Sequence, residues 1–183
     1  MLRPQPTDSE IRDFYGKSTS HDPFGDNGQL ASSLTEQEAA KNYVEVLREH
    51  KPTGSRMLLL APKAHPFIAA VKQEGFEIEI VSDVHQLVRK NLPQEHYDCA
   101  VVIFQLDKCA NPIATLEQLH SVLKPDALLF LVTPSMDSWS AQFFRSQWTE
   151  WRPENFFYFD KQTIQSALLR CGFDRIEISH DRR

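Results

Sequence analysis

The stretch MLLLAPKAHPFIAAVKQEGFEIEIVSD, Met57 to Asp83, decides the fold. Met57 to Ala61 is a short, wholly apolar run; Pro66 to Glu74 carries apolar residues at helical spacing, with Gly75 as its stop; Phe76 to Val81 reads as a second strand. Strand, helix and strand at this spacing form a unit with parallel strands and a right-handed crossover. The pattern continues downstream. Asp83 with Gln86 can cap a third helix through Leu87 and Val88, and DCAVVIF, Asp98 to Phe104, is nearly continuous apolar sequence, as burial on both faces requires. Asn111 caps and Pro112 opens another helix, with Ile113, Leu116, Leu119 and Leu123 inward, until Lys124-Pro125 stops it; Ala127 to Thr133 is a further strand expected to be buried. The prediction is an α/β fold: a Rossmann-like three-layer αβα sandwich with a mostly parallel sheet. In such sheets ligands bind beyond the carboxyl ends of the strands. The stretches to interrogate are therefore Ala61 to His65, Ser82 and Asp83, Phe104 to Lys108, and Thr133 to Asp137.

Working outward, residues 1–33 are polar and punctuated by Gly16, Pro23, Gly25 and Gly28, and are expected to form an irregular leader before a single domain over 34–183. Thr35 with Glu38 reads as a capping box, opening a helix that buries Ala39, Ala40, Tyr43, Val44 and Leu47. The tail is rich in aromatic residues: Trp139, Phe143, Phe144, Trp148 and Trp151 are followed by four more between Asn155 and Phe159. Asp160 caps a last helix closed by Gly172, and Arg175 to Ser179 is strand-like.

Composition narrows the function classes. The chain has 183 residues, 41% hydrophobic, with 20 Lys and Arg against 25 Asp and Glu and a formal charge of -5. That is enough apolar material for a core, and the charge disfavours a nucleic-acid partner, whose backbone rewards clustered cations. The longest apolar stretch, Ala127 to Val132, is far short of the roughly 20 residues a membrane helix needs, and no secretory signal is evident, so neither a membrane partner nor export is expected; the expected location is cytoplasmic. Cys99, Cys109 and Cys171 show no metal spacing and read as buried or incidental thiols, and the scattered histidines predict no metal site.

The order of these pieces resembles a class I S-adenosylmethionine (SAM)-dependent methyltransferase, from about Tyr43 to Ser179. Gly54 to Ala61 is similar to that family's first strand and Glu74 to Ile78 to the approach to its second. Tyr97-Asp98 to Phe104 resembles the fourth strand with its aromatic-Asp pair, Asn111 to Pro125 the helix before the fifth, and Thr133-Pro134-Ser135 that strand's exit. Gln147-Trp148 through Asn155, then Tyr158-Phe159-Asp160 and Leu168 to Phe173, resembles the substrate-side segment and last helix. The resemblance implies cofactor contacts from Ala61, Lys63, His65, Ser82, Asp83, Phe104 and Asp107. It implies a substrate side built from Trp148, Trp151, Asn155 and Tyr158, facing a small-molecule acceptor.

The departures gather at the cofactor side. The family's first strand ends in an acid and a glycine-rich loop; here the stretch is Leu59 to His65, with neither. A left-handed position held by a non-glycine costs about 1 to 2 kcal/mol. A lost charged hydrogen bond costs about 1.5 to 3 kcal/mol. Together they amount to a loss on the order of a thousandfold in affinity. Ser82 stands where the resemblance calls for a ribose-binding acid, with Asp83 one position late, and residues 83–96 leave no room for the usual third strand. Asp126-Ala127 replaces the glycine pair after Lys-Pro. Asn155 stands where relatives often carry a histidine, and an amide cannot serve as base.

The favoured expectation is a degenerate methyltransferase-like domain, with weak SAM binding or no cofactor, working as an accessory or interaction module. The alternative is an active SAM-dependent methyltransferase on a small-molecule acceptor. A third reading makes Lys63 and His65, before the Pro66 helix, an anion or nucleotide site. The last strand of the family's sheet has no counterpart before Arg183, so a homodimer contact or a larger parent chain is expected to complete the sheet.

Overall fold

The computed structural model describes residues 26–62, 65–82, 84–87, 90–148, 151–152 and 154–179. Four parallel strands form its sheet: β1 (Arg56–Leu60), β2 (Glu77–Val81), β3 (Tyr97–Ile103) and β4 (Leu123–Val132), in spatial order β2-β1-β3-β4. The helices are α1 (Asp26–His50), α2 (Pro66–Gln73), α3 (Val84–Leu87), α4 (Pro112–Val122), α5 (Trp139–Phe144) and α6 (Lys161–Arg170), with single 3-10 turns at Leu106–Lys108 and Arg145–Gln147. This is the expected Rossmann-like sandwich without a third strand between β2 and β3.

Strand alternation divides the core into two layers. Met57, Leu59, Cys99, Val101 and Ile103 pack with α1 and α2 through Leu47, Phe67 and Val71. Leu58, Leu60, Ala100 and Val102 face α4 and α6 through Leu116, Leu119, Ile164 and Leu168. β1 and β3, flanked on both edges, account for the continuous apolar runs read in the sequence. Local signals also act as read: the Asn111 side chain accepts from the Ala114 N–H, and Asp160 with Thr163 forms a reciprocal capping box. Gly75 follows the end of α2 at φ +79, a conformation that a side chain resists.

Four expectations are corrected. α1 begins at Asp26, not at Thr35, so residues 26–33 are helical rather than an irregular leader; no apolar period marks that first part. β4 starts at Leu123, directly after α4, but Lys124 to Ala127 bulge out of the ladder, with Asp126 at a left-handed φ of +59, and regular pairing with β3 runs from Leu128. Arg175–Ser179 forms no strand, although Ile176 and Ile178 still pack on the core. β4, expected to be buried, is only partly so from Ala127 to Val132: its side chains pack on both core layers, but it pairs only with β3, and its other edge carries no strand among the described residues. No helix of the described residues is long and apolar enough to cross a membrane.

Candidate functional site

The crevice side of the sheet is reached at the exits of β1, β2, β3 and β4. Ala61, after β1, is fully buried, and the chain turns at once: the His65 N–H donates to the Pro62 carbonyl at 3.0 Å. His65 is the N-cap of α2. Its Nδ1 accepts from the Phe67 N–H at 3.2 Å and its carbonyl accepts from the Ile68 N–H at 3.0 Å, while Pro66 has no N–H. The described donors at this helix start are therefore used within the turn itself. Ser82, at the β2 exit, is half-buried. Lys63 and Asp83 lie outside the described residues.

At the β3 exit Phe104 holds a left-handed φ of +49, with its N–H donating to the Val132 carbonyl at 2.9 Å. An aromatic residue there costs roughly 1 to 2 kcal/mol, which the bond to β4 helps to offset. The chain then turns through Leu106–Lys108 and buries Asp107 at 1% exposure. The Asp107 carbonyl accepts from the Phe156 and Phe157 N–H groups at 2.8 and 3.1 Å. At the β4 exit Ser135 bridges Phe159, the Met136 N–H donates to the Phe159 carbonyl at 2.8 Å, and the Asp137 carboxylate accepts from the Lys161 N–H at 2.7 Å. Main-chain bonds thus fasten the 155–160 segment across the exits of β3 and β4.

These bonds bring the substrate-side residues together. Trp148 is buried, its indole N–H donating to the Ser140 hydroxyl at 3.2 Å, and Asn155, at the start of the segment, is buried. Trp151 packs against Tyr158 with ring centroids 4.5 Å apart and against Trp148 at 5.7 Å. The Tyr158 hydroxyl accepts from the Arg152 N–H at 2.9 Å and donates to the Arg152 carbonyl at 3.2 Å. Beside this cluster lies an open cleft of about 930 Å³ lined by Met136, Ala141, Gln142, Arg145, Ser146 and Trp151. Of the four substrate-side residues singled out in the sequence, only Trp151 lines it. Met136 falls in the stretch Thr133 to Asp137 singled out at the β4 exit, but Arg145 was missed: nothing in WSAQFFRSQ signals that it turns the chain at φ +47.

Other polar groups serve the fold. Asp98 sits at the amino ends of the strands, opposite the crevice: it accepts from Lys124 Nζ at 2.7 Å and from the Arg56 N–H at 2.9 Å. Both contacts hold its carboxyl below the ordinary value, the Lys124 bond most. Burial pushes the Cys99 and Cys109 thiols up to about 12, as inert core residues. Among the described residues no group of three His, Cys, Asp or Glu side chains is placed to hold a metal ion.

Comparison with known proteins gives the family. A family model described as "Methyltransferase domain" matches residues 25–178. Among solved structures, a SAM-dependent methyltransferase from Archaeoglobus fulgidus aligns at 18% identity and a TM-score of 0.58, over 74% of this chain and 68% of that one. A Thermotoga maritima SAM-dependent methyltransferase, described as a possible histamine N-methyltransferase, aligns at 12% identity and 0.52, covering 78% and 72%. A chain from the complex between the Haloferax volcanii Trm112 methyltransferase activator and a methyltransferase aligns at 12% and 0.59, covering 89% and 76%. No curated protein matches in a sequence search. At these identities the solved structures speak for the fold alone, whereas the family match runs across nearly the whole described chain; the protein belongs to the methyltransferase domain family.

Proposed function

We propose that the protein is a degenerate methyltransferase-like domain that binds SAM weakly or not at all and works as an accessory or interaction module. An active member of this family would use SAM as its cofactor. The observation that carries the reading is the turn after β1. The methionine end of SAM brings a carboxylate that needs N–H donors and an ammonium that needs an acceptor. The described donors of this turn are instead committed to Pro62 O, His65 Nδ1 and His65 O, and no acid occurs between Ala61 and His65. These residues do not fit the group, and no step of methyl transfer is derived through it. The same saturation weighs against an anion site at His65.

The interaction role draws on β4. Its residues Leu128 to Val132 are apolar yet half-exposed along an edge that no strand of the described residues pairs with, the arrangement that invites a further strand. A strand from a second copy or from a longer parent chain would complete the sheet there.

The rival reading is an active methyltransferase on a small-molecule acceptor, and it draws on the cleft at the β4 exit. Alignment of acceptor and methyl in a desolvated centre would then carry the catalysis. Thermal unfolding with S-adenosylhomocysteine separates the two. At 1 mM, a site with micromolar affinity would stabilise the domain by about 4 kcal/mol. That corresponds to roughly 8 to 16 °C for a domain of this size. The degenerate reading predicts a shift under about 2 °C; a shift near the larger figure, with methyl transfer to any acceptor, overturns it.

A further inference from the structure

We infer that the cleft between α5 and Trp151 is a ligand site in its own right, for a small molecule with an apolar body and a single anionic group. The cleft, of about 930 Å³ and open to solvent, falls in the size range of small-molecule sites. Met136, Ala141 and Trp151 give it apolar walls, and among the described residues that line it Arg145 is the one that is charged.

Three features show that the wall is built rather than incidental. Arg145 stands in a left-handed conformation at φ +47, ψ -114, a strain that persists only where neighbours over-determine it. Its carbonyl is fixed by two donors, the Trp148 N–H at 3.2 Å and the Trp151 indole N–H at 2.5 Å. The Trp151 ring is in turn wedged against Trp148 and Tyr158, so the apolar wall is tied to the main chain at Arg145, whose side chain is exposed. The Gln142 amide is already committed to the Asp137 carbonyl. The Arg145 guanidinium, by contrast, has no carboxylate within ion-pair distance among the described residues. A planar fork of donors on the lining of an apolar cleft can recognise a carboxylate, sulfonate or phosphate attached to an apolar body. Trp139 and Phe143, exposed on α5, stack on each other at 5.0 Å and do not line the cleft.

The test uses the full chain without SAM, so its outcome is independent of the cofactor reading. The probe is 1-anilinonaphthalene-8-sulfonate, followed by fluorescence at low salt, with the neutral N-phenyl-1-naphthylamine as comparator. Arg145→Gln removes the cation and keeps the stem; Arg145→Gly removes it while relaxing the φ +47 strain, so at least one variant folds if strain is the obstacle. The expected result is one sulfonate probe bound per chain, weakened about tenfold in both variants, with the neutral probe weaker throughout and changed less than about twofold. Trp139→Ala with Phe143→Ala leaves the sulfonate affinity unchanged. The inference is overturned if the native chain fails to bind the sulfonate probe or if the Arg145 variants bind it as the native chain does. Loss of binding in the Trp139 and Phe143 variant overturns it too.

Discussion

Replacing Gly172 by alanine tests how tightly α6 is keyed to α4. Gly172 has φ +95, beyond the left-handed well that side chains tolerate, and a Cβ built there would lie 2.9 Å from His120 Nε2 and 3.3 Å from two ring carbons. The conformational cost is about 1 to 2 kcal/mol. His120 is itself exposed, so its ring yields by giving up its edge-on packing against Phe173 at 5.2 Å. Losing that ring contact adds about 0.5 to 1.5 kcal/mol. The unfolded chain of the variant is stiffer, which returns about 0.4 to 1 kcal/mol. The net expectation is roughly 1 to 3 kcal/mol of lost stability, read as a lower urea midpoint at unchanged slope. Adding His120→Ala removes the clash but not the strain. Its cost in the Gly172→Ala background should therefore be smaller than in the native chain by about 0.5 to 1.5 kcal/mol. A Gly172→Ala variant within about 0.5 kcal/mol of native, or strict additivity of the pair, would refute the reasoning.

Two further outcomes follow from the polar groups. Asp98 is held below its ordinary value by Lys124 and the Arg56 N–H, so its contribution is present above the unfolded carboxylate value and is lost as pH falls through the lower folded one. Asp98→Asn should cost about 1 kcal/mol at pH 7 and much less below pH ~3; an equal cost at both, by urea titration, contradicts the assignment. Cys99 and Cys109, fully or almost fully buried, should resist Ellman's reagent at pH 8 until urea unfolds the chain, and rapid reaction of either in the folded state would show that the core opens locally.

The sheet was legible because its signals are local and redundant. A continuous apolar run such as Met57 to Leu60 cannot be solvated on either face, and Asn111-Pro112 or Asp160 fixes a helix start with its own side chain. β4 shows the limit. Its residues read as twice-buried, but exposure depends on whether a neighbour pairs with its far edge, which no pattern within the strand encodes. Ile176 and Ile178 show the reverse: the alternation is satisfied by packing on the core without any ladder of hydrogen bonds. At the site, the departures from the family pattern were visible as missing residue types at the β1 exit. The cleft was not, because Arg145 enters it through a strained turn that an ordinary helix-ending sequence does not announce.

Calorimetric titration of the whole chain with SAM is the most direct measure of whether the turn at Pro62 to Ile68 has closed on itself. A turn whose described amides are already spent predicts no saturable heat below about millimolar ligand, a loss of the order of a thousandfold from a micromolar site. A saturable isotherm with a submicromolar dissociation constant would mean that the loop opens to donate those amides to the nucleoside, and would contradict the account.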